Sequence, residues 1–136
     1  MPDFASMFES ARTARNAGRA DEAERAYAAA AEHARAANDP LALAHALRHL
    51  SDLARERGAS DEALTSAAEA VAIYRTQPDS RPLDLANALR LNALALDLAG
   101  RAAEAEPLWH EARDLYASSG IAAGVQEADG RLAARR

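Results

Sequence analysis

His45, Arg48, His49, Asp52 and Arg55 come nearest to a chemical site in this chain of 136 residues. On a helix, positions i, i+3, i+4 and i+7 share one face, so these side chains would stand together. Two histidines and a carboxylate at that spacing can hold zinc or iron. Three ligands on one straight helix make poor geometry, however, and no glutamate sits between His45 and His49 to complete a zinc-protease signature. Solvated histidines are the better reading, and no cofactor is implied; a metal or small-ligand sensor built on His45, His49 and Asp52 is the weaker alternative. Ser51 lies beside His49 and Asp52 in sequence, but helix neighbours one or two apart point in different directions. There is no Gly-x-Ser-x-Gly elbow and no phosphate-binding glycine loop, and the paired Asp21 and Glu22 read as helix-start charges. The chain does not read as an enzyme.

The elements that must carry these residues are helices. Roughly two residues in seven are alanine, the strongest helix former. Every cation outside the four histidines is arginine. With two Phe, three Tyr and one Trp, the core must be built from alanine and leucine on closely packed helices. A net charge of −5 argues against a general nucleic-acid binder. Without cysteine there is no disulfide framework and no thiolate site. The opening Met1-Pro2-Asp3-Phe4 shows no signal-peptide pattern, and no apolar run approaches the ~20 residues of a membrane span. A cytoplasmic protein is the default expectation.

One phrase is written three times. Gly18-Arg19-Ala20-Asp21-Glu22-Ala23 returns at Gly58-Ala59-Ser60-Asp61-Glu62-Ala63 and at Gly100-Arg101-Ala102-Ala103-Glu104-Ala105, spaced by 40 and then 42 residues. Self-similarity at such a period marks a repeat architecture. Glycine stops, acidic helix starts and the breaks at Asn38-Asp39-Pro40 and Gln77–Pro82 predict seven helices at about 3–16, 20–37, 41–57, 60–76, 83–99, 102–118 and 121–134. Pro107 falls inside the sixth, which should start late or bend. Trp109 sits at a large inter-helix position and is expected in the core.

This pattern resembles the tetratricopeptide repeat, in the longer-period variant of kinesin light chains and many bacterial proteins. The small second-helix positions are Ala23, Ala63 and Ala105, then Ala30, Ala70 and Ala112; the large position between them holds Tyr27, Ala67 and Trp109. Met7, Leu47 and Leu89 align in the first helices, whereas Ser10 and Asn92 stand where a leucine is usual. The resemblance implies a single all-α domain over 1–136, a right-handed α-α superhelix. Its helix-turn-helix repeats would lie at about 3–37, 41–76 and 83–118, with a solvating capping helix at about 121–134 in which Ile121, Val125 and Leu132 are apolar and Gln126, Glu127 and Arg131 polar. It further implies a non-enzymatic scaffold that binds a protein, peptide or partner helix in a concave groove. By position that groove would display Phe8, Arg12, Arg15, His45, Arg48, His49, Asp52, Arg55, Asn87, Arg90, Leu91, Leu94 and Asp97. Arg12, Arg48, Arg55 and Arg90 would form a basic stripe, and arginine forks take carboxylates bidentately, so an acidic segment is a natural guest. The co-chaperone carboxylate clamp is not reproduced, since its positions fall on Phe8, Arg12, His49, Asn87 and Leu91. Self-association is the rival use of the same scaffold, favoured if Phe8, Leu91 and Leu94 form an exposed wall.

Overall fold

The structure, a computed structural model, describes residues 3–135; Met1, Pro2 and Arg136 lie outside the described residues. Within them the chain forms α1 (Phe4–Asn16), α2 (Ala20–Ala36), α3 (Pro40–Glu56), α4 (Ser60–Thr76), α5 (Pro82–Leu98), α6 (Ala102–Ser118) and α7 (Ala122–Ala133), and no strand. Each helix packs on the one before and the one after it, and α3 also touches α5. The architecture is an all-α solenoid of helix pairs closed by a single helix.

Five helix ends share one hydrogen-bond pattern. At the first, Arg19 N donates to Ala14 O and Gly18 N to Arg15 O, which satisfies two carbonyls that the helix leaves open. The geometry requires a residue with positive φ. Gly58 supplies it after α3 at 81°, and Asn38 does so after α2 at 52°, a conformation that asparagine tolerates better than other side chains. The exit from α4 differs, because Gln77 is extended and opens the longest loop. Pro40 and Pro82, read from sequence as breaks, are the first residues of α3 and α5. Proline's fixed φ suits the first helical position, where no intrahelical N–H bond is lost. Asp39 then caps α3, accepting from Ala42 N at 3.2 Å.

The late start expected for the sixth helix does not occur. Helix α6 starts on schedule at Ala102 with Pro107 inside it. The proline is exposed and close enough to the helix start that one missing N–H does not delay nucleation. Ile121 does not face the core; it lies just before α7 and is 36% exposed, while Val125 and Leu132 do pack inward.

Alanine sets the packing distance. Ala30, Ala44, Ala46, Ala70, Ala86, Ala88 and Ala112 are fully buried in one continuous core with Leu89 and Tyr116. A second core gathers Ala67, Leu94, Ala105, Trp109, Ala128 and Leu132. Ala67 and Trp109, large-position residues of successive repeats, thus lie in one core. Ser10 is exposed on the first helix, so a polar residue costs nothing there. Asn92 is buried, with its Oδ1 unpartnered among the described residues. Ser51 is buried too and donates to the Ala63 carbonyl at 2.8 Å, pinning α3 to α4.

On the outer helices, neighbouring repeats are joined by matching ion pairs. Arg35 of α2 grips Glu69 of α4 with both forks, at 2.7 and 2.8 Å. Arg75 of α4 grips Glu111 of α6 in the same manner, both at 2.7 Å. The arginines are 40 residues apart and the glutamates 42, so these are equivalent positions of successive repeats. Continuing the pattern outward reaches Ala29 and Ala117, both exposed. Each exposed pair contributes at most about 1 kcal/mol.

Candidate functional site

Helices α1, α3, α5 and α7 form one wall, joined by contacts that run from each to the next. Arg15 of α1 reaches Asp52 and Glu56 of α3 at 3.3 and 3.1 Å. Arg48 of α3 reaches Asp84 of α5 at 3.5 Å. Arg90 of α5 pairs with Glu127 of α7, one of its bonds measuring 3.2 Å. Between α3 and α5 the wall holds a hollow of about 240 Å³ lined by Arg48, His49, Asp52, Asn87, Arg90 and Leu91. All of these are groove positions expected from sequence.

His49 is the best-held side chain of the hollow. Its ring stacks on Tyr27 with centroids 4.5 Å apart and planes at 3°, and Phe8 meets it edge-on at 5.1 Å. Its Nδ1 lies 3.1 Å from Arg15 Nη1. A guanidinium can only donate, so Nδ1 accepts and the proton of the neutral ring sits on Nε2. Burial and then the Arg15 and Arg48 charges push the His49 pKa down to about 4. In the unfolded chain a histidine takes up its proton near 6.5, whereas His49 in the fold resists until about pH 4. Between these values the unfolded chain binds more protons, so stability falls as the pH drops through that window. His45, lowered by burial and by Arg48, adds to the same slope. A His49→Gln variant should therefore show a flatter decline of its urea midpoint from pH 6.5 to pH 4; an unchanged slope would sink this account.

Two equivalent constellations flank the hollow. Tyr74 Oη lies 2.7 Å from His45 Nδ1 and accepts from Arg48 Nη1 at 3.3 Å. Tyr116 Oη donates to Asn87 Oδ1 at 2.7 Å. Tyr74 and Tyr116, and likewise His45 and Asn87, are related by the 42-residue period. Neither tyrosine was singled out from sequence, although that shared period was the available signal. Asp52 is the hollow's carboxylate, and both its oxygens are engaged: Oδ1 by Arg55 at 2.6 Å and Oδ2 by Arg15. Burial pushes its carboxyl up, but Arg55 and Arg15 outweigh this and hold it below the ordinary range.

Leu91 lines the hollow while largely buried, and the remaining positions stand apart from it. Leu91 and Leu94 are 5% and 4% exposed, so no apolar wall joins them to half-buried Phe8. Leu94 packs in the Trp109 core. Asp97 turns away toward α6 and α7, accepting from Trp109 Nε1 at 2.9 Å and pairing with Arg135. Arg12 is exposed and pairs with Glu9 of its own helix at 3.6 Å. The arginines of the expected stripe thus each face a carboxylate. His45 and His49 face different partners, and among the described residues no three His, Asp or Glu side chains are grouped to hold a metal ion.

None of the described helices is long and apolar enough to cross a membrane. No protein-family model matches the chain, and no curated protein matches it in sequence. Among solved structures, BtubC (BKLC) from P. vanneervenii is similar, with a TM-score of 0.78 at 19% identity. The match covers 86% of this chain and 48% of that one, so this chain spans just under half the length of BtubC. The likeness is one of fold: the chain has the tetratricopeptide-type architecture of a bacterial kinesin-light-chain-like protein.

Proposed function

We propose that the chain is a non-enzymatic interaction scaffold that receives a peptide or partner helix along the wall of α1, α3, α5 and α7. The observation that carries this reading is the hollow between α3 and α5, where Arg48, His49, Asn87 and Arg90 converge from two helices. A repeat wall of this kind presents side chains from successive units to one extended guest. Arginine forks, a histidine N–H and an amide favour a guest rich in hydrogen-bond acceptors, with an acidic segment the natural case.

A photo-crosslinking residue placed at Arg12 or Asn87, and as a control at the exposed outer position Ala72, tests the reading. Crosslinked partners from Arg12 and Asn87 that disappear in excess unlabelled protein, and are missing from Ala72, are the expected result. Crosslinks confined to Ala72 would move the interaction to the outer face and overturn the proposal. Circular dichroism of each variant checks that the helices are intact.

A further inference from the structure

The hollow offers donors almost exclusively, and two of them are set from outside it. On the α3 side, His49 presents Nε2–H because Arg15 occupies Nδ1, and Arg48 keeps Nε and Nη2 after Nη1 has turned to Tyr74 and Asp84. Asp52 has both oxygens committed to arginines. On the α5 side the contacts lead to α7. The α7 backbone at Gly124 lies directly against the Tyr116 ring, where a Cβ would come within 2.4 Å of Cγ. Tyr116 is 3% exposed, and its hydroxyl binds Asn87 Oδ1, which leaves the Nδ2 amide for the hollow. Glu127, also on α7, takes Nε and Nη2 of Arg90 and leaves Nη1.

We propose that Gly124, Tyr116 and Glu127 are positioning residues, through which α7 sets the donors that α5 offers to an oxyanion of the guest. The inference rests on the wall being the binding surface. The two connections act with opposite sign. Tyr116 tethers the Asn87 amide at the edge of the hollow, so that its free end is held toward the guest. Glu127 competes with the guest for Arg90, as an internal carboxylate already seated there. Guest binding and the docking of α7 are therefore linked, each altering the other by the same free energy.

The test uses the full chain labelled with ¹⁵N. Sodium acetate, and in a separate arm inorganic phosphate, is titrated in at constant ionic strength while the Asn87 side-chain amide and the Arg90 Nε–H are followed. Tyr116→Phe keeps the ring against Gly124 and removes only the hydroxyl; it should weaken anion binding about threefold to tenfold, the worth of one hydrogen bond. Glu127→Gln should strengthen binding, because it frees Arg90. Amide protection at Ala128 and Leu132 should stay at the wild-type level in both variants, showing that α7 remains docked. A response to acetate alone assigns a carboxylate guest, and one to phosphate alone a phosphorylated guest. Affinity equal to wild type in either variant, or weakening in both, would overturn the proposal, because α7 would then be a structural cap only. No response of wild-type Asn87 and Arg90 to either anion would also overturn it, while crosslinking from Arg12 and Asn87 would still report separately on the wall.

Discussion

Trp109→Ala is expected to destabilise the fold by about 3–5 kcal/mol, the range for removing a fully buried indole. Trp109 has no solvent exposure and occupies the centre of the core that joins α4, α5, α6 and α7. Its cluster combines Ala67, Ala93, Ala105 and Ala128, side chains too short to collapse into the space, with Leu91, Leu94, Leu96 and Leu132 held on separate helices. The alanines leave much of the cavity in place, and the cost should fall within this range. A domain of this size has only about 5–15 kcal/mol to lose. The indole also donates Nε1–H to Asp97, a carboxylate that holds Arg131 and Arg135 near α7. Trp109→Phe separates these roles: it keeps an aromatic ring and loses the donor, and should cost distinctly less. Urea unfolding followed by far-ultraviolet circular dichroism measures both. A loss below ~1 kcal/mol for Trp109→Ala would show that alanine cores of this kind relax, contrary to the cavity argument.

The second large effect has the opposite sign. Pro107→Ala should stabilise the protein by about 1–2 kcal/mol, since proline inside a helix is roughly 3 kcal/mol worse than alanine before two opposing terms are counted. Pro107 has no N–H for the Ala103 carbonyl, and that turn of α6 is exposed, so the missing bond is exchanged for water. Two terms reduce the gain below the full value. Water satisfies the open carbonyl, and proline restricts the unfolded chain by about 0.4–1 kcal/mol. A rise in the urea midpoint is the expected result. A fall would mean that the ring packs on the outer surface in a manner that alanine cannot replace.

What was legible in the sequence was whatever depends on neighbours along the chain. Gly18, Gly58 and Gly100 marked helix ends because the left-handed turn is a local requirement, and Ala23, Ala63 and Ala105 marked the repeat because close packing recurs at each unit. Trp109 was placed in the core by the same register. Pro40 and Pro82 were misread by a single position, since a proline that ends one helix and one that begins the next look alike in sequence. The site was half legible. Arg48, His49, Asp52, Asn87, Arg90 and Leu91 follow from helix faces and do meet in the hollow. Their partners follow from contacts between helices more than 25 residues apart, such as Tyr116 with Asn87 and Glu127 with Arg90, which no local pattern encodes. Asp97 shows the limit from the other side. It was assigned to the groove by position alone, and the Trp109 indole and the α7 arginines draw it elsewhere.

The matching pairs on the outer helices carry a directional code. The second repeat is the one unit that holds both halves, Glu69 facing back and Arg75 facing forward. The first repeat has only the forward half and the third only the backward half, with Ala29 and Ala117 in the complementary places. Duplicating residues 41–82 in tandem would seat the first copy's arginine against the second copy's glutamate and extend the ladder without a mismatch. Duplicating the first or third repeat would set an arginine or a glutamate opposite alanine. The pairing pattern is thus matched by another middle unit and left open by a copied outer one, a bias in the grammar of insertion worth at most about 1 kcal/mol per junction.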